Sequence, residues 1–215
     1  GLERVEVLRG PSSVVFGQVK PGGLVNMVSK RPQEEKHGEV QLRAGNRQRA
    51  EMAFDIGGPV DVQKTWLYRV VGLGRSADTQ VDYTQDQRIF IAPSVTYRPN
   101  GATTFTLMAS FQRDPETGFY GFIPAVGTVL PSRNGRIRSE FFPGEPNFEG
   151  YSRNQANLGW AFEHRFNDVL SFRQNVRVSD LESRFRTVAV GGIAADQKTL
   201  TRRVTAGDEF RVVIR

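Results

Sequence analysis

Residues 116–124 read ETGFYGFIP, with Phe119, Tyr120 and Phe122 set between and beside Gly118 and Gly121. Rings at this spacing follow neither a helical nor a strand period. They either pack into a core or offer their faces to an organic ligand, and tyrosine adds a hydroxyl that donates or accepts a hydrogen bond. Other groups able to do chemistry are sparse. His37 and His164 share no metal-ligand spacing, and both read as surface or interface residues. The chain has 0 cysteines, hence no disulfide, thiolate metal site or cysteine nucleophile. That usage suits a compartment in which free thiols are oxidised. The stretch GLGRSA at 72–77 imitates a dinucleotide fingerprint, but the following SADTQVDYTQDQR lacks the helix such a site requires. It reads as a strand running into a loop. Glu34 and Glu35, and Asp114 and Glu116, read as loop carboxylates without distinctive partners. Arg133, Arg136 and Arg138 in SRNGRIRSE could attract lipopolysaccharide phosphates or an anionic ligand, or form a solvated loop. No catalytic residue, metal site or cofactor is expected, and the chain does not read as an enzyme.

The formal net charge of +6 would suit an anionic partner. The arginines, however, are spread along the chain and alternate with apolar residues, so nucleic acid is not an expected partner. No apolar run approaches the roughly 18 to 20 residues of a membrane-spanning helix. The sequence opens on GLERVEVLRGP and is read as an internal segment of a longer chain.

The elements that must position these residues have a period of two. Ile89, Ile91, Pro93, Val95 and Tyr97 alternate with Arg88, Phe90, Ala92, Ser94, Thr96 and Arg98. Phe105, Leu107, Ala109 and Phe111 alternate with Thr104, Thr106, Met108, Ser110 and Gln112. Ala156, Leu158, Trp160 and Phe162 oppose Gln155, Asn157, Gly159, Ala161 and Glu163, and Phe172, Val176 and Val178 oppose Ser171, Arg173, Asn175 and Arg177. Val40 and Leu42, then Met52, Phe54 and Ile56, repeat the pattern. This is strand periodicity with one apolar face. The runs extend for about nine to twelve residues, the length of tilted membrane strands rather than of ordinary globular ones.

Connections alternate in length. Short turns are expected at 57–64, 98–103 and 165–169, and long polar loops at 75–87, 113–153 and 180–198. This describes an all-β, transmembrane antiparallel β-barrel, with Trp66, Tyr68, Tyr97, Trp160 and Phe162 forming an aromatic girdle at the short-turn end. A soluble β-sandwich also alternates, but here the polar face is rich in arginine and glutamate, as a wetted lumen would be.

Residues 1–36 differ from the rest: short β-type runs at Val5–Leu8 and Leu24–Ser29 are separated by Gly-Pro and Pro-Gly-Gly turns. A charged link, RPQEEKHG, joins them to the first long strand. The stretch ERVEVLRGPSSVVFGQVKPGGLVNMVSKRP resembles the end of the plug domain of TonB-dependent outer-membrane receptors. YRVVGLGRSADTQVDYTQDQRIFIAPSVTYRP, PETGFYGFIPAVGT and YSRNQANLGWAFEHRFND look like the siderophore receptors, most of all the ferric-hydroxamate (ferrichrome-type) ones. The resemblance covers residues 1 to about 180 and fades from Leu181 onward.

The resemblance implies the C-terminal part of a plug with its link at 1–36. It also implies the N-terminal part of a barrel at 37–215, about seven or eight of about 22 strands. Such strands alone would leave two unpaired edges in lipid. It implies uptake of ferric siderophores through the bacterial outer membrane. TonB would act through an N-terminal segment outside this chain, with lipid and lipopolysaccharide around a monomeric receptor. Because a siderophore already wraps its iron, the receptor needs rings and donors rather than metal ligands. By similarity, Tyr120 and Phe122 fall on the two loop aromatics that contact the ligand, with Phe119 beside them. The family position matching Phe122 is often tryptophan. In the plug, Arg9, next to Gly10 and Pro11, resembles an arginine that pairs with an acid of the barrel wall, and Gly22 and Gly23 supply a turn. Vitamin B12, heme or another metal chelate as cargo, a passive porin, and a soluble β-rich binding module remain alternatives at this point.

Overall fold

The computed structural model describes residues 1–10, 22–118 and 121–214. Among these described residues the regular elements are ten strands in two antiparallel sheets. The smaller sheet is a hairpin of β1 (Leu2–Arg9) and β2 (Gly23–Ser29). The larger is an eight-stranded meander: β3 (His37–Gly45), β4 (Arg49–Pro59), β5 (Trp66–Asp78), β6 (Gln85–Asn100), β7 (Thr103–Asp114), β8 (Gly150–Arg165), β9 (Ser171–Ile193) and β10 (Leu200–Ile214). Each strand pairs with its sequence neighbours, and β3 and β10 form the two edges.

The larger sheet is turned inside out relative to a water-soluble one. Val40, Leu42, Ile89, Ile91, Leu107, Phe111 and Leu158 are exposed, with Leu42 at 76 %, whereas Glu51, Asp55, Arg69, Ser94, Thr96, Thr106 and Asp114 are buried. Alternation places the first set on one face and the second on the other. An apolar face presented outward and a polar face turned inward is stable where the outer solvent is lipid. The inner face is concave: residues from β3 through β9 line a single 590 Å³ cavity with Gly1, Leu2, Met27, Ser29 and Lys30 of the hairpin region. The hairpin therefore sits inside the curve of the sheet.

An aromatic belt marks the short-turn end of the outer face. Trp66 pairs with Tyr97, Tyr97 with Phe105 and Phe105 with Phe162 in successive registers. The Trp66 and Tyr97 rings lie 4.5 Å apart, and Phe162 stands 6.1 Å from Phe172. His164 continues the belt, stacked on Phe162, with its Nδ1 2.9 Å from the Thr103 hydroxyl. The turns at this end are capped by side-chain oxygens. Asp61 accepts the Thr65 and Trp66 amides, Asn100 those of Ala102 and Thr103, and Asn167 those of Val169 and Leu170.

At the opposite end the strands run further than expected. The segments expected as loops at 75–87 and 180–198 are largely strand, leaving 79–84 and 194–199 as the connections. The long loop narrows to 115–149. The reason is that Asp180, Glu182, Arg184 and Arg186 continue β9 above the apolar band on the parity that Val176 and Val178 hold within it, and where water replaces lipid the outer face need not be apolar.

Candidate functional site

Two charged knots and one loop stand out on the inner face. The first knot joins the hairpin to the wall. Arg69 on β5 donates from Nε and Nη2 to the two oxygens of Asp55 on β4, each at 2.8 Å. Lys30, just past β2, donates to Asp55 at 2.5 Å, and His37 Nε2 lies 3.3 Å from the same carboxylate. The remaining Arg69 nitrogen reaches Glu3 at 3.1 Å and the Arg31 carbonyl at 3.0 Å. Asp55 is 8 % and Arg69 5 % exposed, so these are paired charges out of bulk water. The link between the sheets is held as well. Glu34, expected to lack a distinctive partner, instead accepts from Arg98 at 2.9 Å with Lys64 at 3.5 Å, and the Arg98 hydrogen bond holds its carboxyl below the usual range.

The second knot lies at the opposite end of the wall. Asp114, the last residue of β7, is 0 % exposed. It accepts from Arg88 of β6 at 2.7 and 3.2 Å, from Arg153 of β8 at 2.6 and 3.1 Å, and from Gln112 at 2.8 Å. Register makes this possible: Asp114 is the direct partner of Arg153, and all four side chains share the inward parity. The expectation that Asp114 is a loop carboxylate without a distinctive partner is thus corrected. It ends a strand, and the neighbouring strands supply two arginines that are distant in sequence.

The aromatic loop rises directly from this knot. Its stem continues the sheet: the Gln87 amide donates to Glu116, the Gly118 amide to Gln85 and the Thr117 amide to Tyr151. At Gly118 the backbone turns with φ of 77°, in the region glycine favours. Phe119 and Tyr120 lie outside the described residues. Phe122 follows at 69 % exposure. The far part of the loop leans on both neighbours. Arg138 pairs with Asp82 at 3.0 Å, while the amide of Arg133 and the side chain of Asn134 bond Gln197, Asn134 also reaching the Asp196 carbonyl. Asp196 stiffens its own turn: the Thr199 hydroxyl and the Thr199 and Lys198 amides hold its carboxyl at about 2. Beneath the loop, Tyr151 and Phe185 form an edge-to-face pair with centroids 5.7 Å apart, and Tyr83 stands 6.0 Å from Phe142.

Other expected residues fall as follows. Arg9 is exposed at the end of β1, opposite Gly23. Gly10 has φ of 88°, and Pro11 lies outside the described residues. Gly22 is in the turn before β2. Gly23 has φ of 124°, and a Cβ there would sit 2.3 Å from the Leu8 carbonyl oxygen, so glycine is required. The charged residues that tie the hairpin to the wall, Lys30, Asp55, Arg69 and Glu3, were not singled out by sequence reasoning. Inward parity on adjacent strands was the signal that could have flagged Asp55 and Arg69.

No protein-family model matches the chain. It is 43 % identical over 196 residues to the ferrichrome outer membrane transporter/phage receptor of Escherichia coli K12, covering 91 % of this chain and 26 % of that protein. It is 37 % identical over 208 residues to the ferrioxamine receptor of Yersinia enterocolitica, covering 97 % and 28 %. Among solved structures, the ferric-catecholate import receptor Fiu of E. coli K12 in its open form superposes with a TM-score of 0.81 at 23 % identity, covering 99 % of this chain and 35 % of that one. The ferripyoverdine receptor of the Pseudomonas aeruginosa outer membrane gives a TM-score of 0.72 at 20 % identity, covering 94 % and 27 %. The chain spans about a quarter of the length of the curated relatives it matches. Over nearly its whole length the chain is similar in sequence to the outer-membrane receptors named for ferrichrome and ferrioxamine, and it shares the fold of the solved outer-membrane receptors.

Proposed function

We propose that this chain is the end of the plug (1–36, with its link) and the first part of the barrel (37–215) of a TonB-dependent receptor. The whole receptor imports ferric siderophores, of the hydroxamate class. The observation that carries this reading is the hairpin seated on the polar inner face of a membrane-length sheet, below an aromatic loop at the rim. A passive pore has no use for a hairpin tied to its lumen by Lys30, Asp55, Arg69 and Glu3. The hydroxamate class is supported by the relatives named for ferrichrome and ferrioxamine.

In this reading Tyr120 and Phe122, with Phe119 beside them, supply rings to the organic shell of the chelate, and Tyr120 adds a donor to its oxygens. Ligand bound outside alters contacts between loop and plug. TonB, pulling on a segment upstream of Gly1, then opens a path through the lumen. Outer-membrane lipid and lipopolysaccharide surround the apolar face. The test is binding of the complete receptor to ferric hydroxamates, ferric catecholates, cobalamin and heme, read by quenching of intrinsic fluorescence. Preference for ferric hydroxamates is expected. Preference for cobalamin or heme overturns the cargo, and preference for catecholates overturns the class.

A further inference from the structure

We propose that the concave inner face carries an oxyanion-binding subsite between Arg75 of β5 and Arg88 of β6, which takes the carboxylate or phosphate group of a small molecule. Register sets one transverse row of inward charges across six strands: Arg43, Glu51, Arg75, Arg88, Asp114 and Arg153. Within this row Arg75 and Arg88 are direct cross-strand partners, so two guanidinium side chains leave the sheet side by side. Like charges directly opposite one another destabilise a sheet. An anion held between them turns that repulsive rung into an attractive one.

The acids of the row do not supply that anion. Glu51 is spent on Arg43 and Arg49 at 2.9 and 2.7 Å, and Asp114 on Arg88 and Arg153. Asp86, two residues before Arg88, accepts a single bond from Arg75 Nη2 at 2.8 Å. Five arginines thus face three carboxylates. The Nε of Arg75 is buried and, among the described residues, has no hydrogen-bond partner. A buried N–H left unmatched is uncommon enough in folded proteins to require a cause. Arg88 spends Nε and Nη2 on Asp114 and keeps Nη1. It also lines the 590 Å³ cavity, with the neutral amides of Gln112 and Gln155. That volume is in the range that holds small organic ligands. A planar guanidinium fork presents paired N–H groups to two oxygens, so the site suits a carboxylate or phosphate better than a halide.

The experiment uses the complete receptor in detergent with inorganic phosphate as the probe, against potassium chloride at the same ionic strength. Phosphorus NMR line broadening gives the affinity, and hydrogen exchange gives the place. Phosphate should bind the wild-type receptor and slow exchange of the amides at 73–77 and 86–90. Arg75→Gln should weaken phosphate binding by about tenfold, the loss of one charge-assisted bond. Arg173, paired with Glu163 at 2.9 Å, lies on the inner face at the other rim. Arg173→Gln removes an equal charge there and should change the affinity by less than about twofold. Arg75→Lys keeps the charge but not the fork, and should weaken binding by about threefold. It carries the same comparison should Arg75→Gln fail to assemble. No binding above the chloride control overturns the subsite; if Arg75→Gln then also speeds exchange in β1 and β2, the row is closed by a carboxylate of the protein itself. Equal weakening by Arg75→Gln and Arg173→Gln overturns it in favour of a diffuse positive field. Protection confined to the exposed Arg133, Arg136 and Arg138 overturns it in favour of the loop.

Discussion

Replacing Asp55 by asparagine in the complete receptor should loosen the β1–β2 hairpin from the wall without unfolding the wall. Asp55 accepts two bonds from Arg69 at 2.8 Å and one from Lys30 at 2.5 Å, with His37 at 3.3 Å. Breaking a buried ion pair costs about 3 to 5 kcal/mol in general. Here the cost is lower for the hairpin, because Arg69 keeps Glu3 and the Arg31 carbonyl, and the Lys30 side chain is 27 % exposed and regains some hydration. What the hairpin loses is one charge-assisted bond from Lys30, worth about 2 kcal/mol. By hydrogen exchange, amides of β1 and β2 should then exchange about thirtyfold faster, since about 1.4 kcal/mol is a factor of ten. Amides of β7 and β8 should change little. Lys30→Met should reproduce most of the effect on the hairpin and leave the Asp55–Arg69 pair in place. A change under about threefold in β1 and β2, or an equal acceleration in β7 and β8, would refute the reasoning.

Three further expectations follow from the same geometry. Leu107→Arg, on the apolar outer face, should cost about 2 to 4 kcal/mol and reduce the yield of folded barrel on gels, whereas Ser110→Arg on the inner face should not. Gly72→Val should destabilise by about 1 to 3 kcal/mol in urea titration, because the added Cβ falls 2.2 Å from the Phe54 ring; Phe54→Ala in the same chain should recover part of it. The Asp196 carboxyl is depressed, so the bonds of its turn contribute fully above the ordinary value of about 3.9. They fade as pH falls through about 2, and a carboxyl-carbon NMR titration with a midpoint near 4 would contradict this.

The wall was legible because its apolar residues recur every second position over membrane length, and the short β-type runs at Val5–Leu8 and Leu24–Ser29 fall on the two strands of the hairpin. Strand ends were less legible. Residues 180–193 alternate polar with polar in part, since above the membrane neither face must be apolar, and only pairing with β8 and β10 reveals the strand. The knots were hidden for a different reason. Asp114 meets Arg88 and Arg153 only through register, 26 and 39 positions away, and no local spacing encodes that. Asp55 lay between the apolar residues of a strand already recognised, so its burial followed from alternation; Arg69 sits on β5, whose alternation had not been read, and only pairing with β4 and β6 places it inward. The rings at 119–122 were visible as a composition, and Phe122 does stand exposed on its loop.

The central claim is that this loop stands at the mouth of a siderophore path. It is tested most directly by placing a photo-crosslinking benzoylphenylalanine at Phe122 of the complete receptor and irradiating it with ferrichrome present. The account predicts capture of the siderophore at 122, competed by excess ferric hydroxamate, and none from the same group at Leu42 on the outer face. Capture of lipopolysaccharide alone at 122, or equal siderophore capture at both positions, would contradict it.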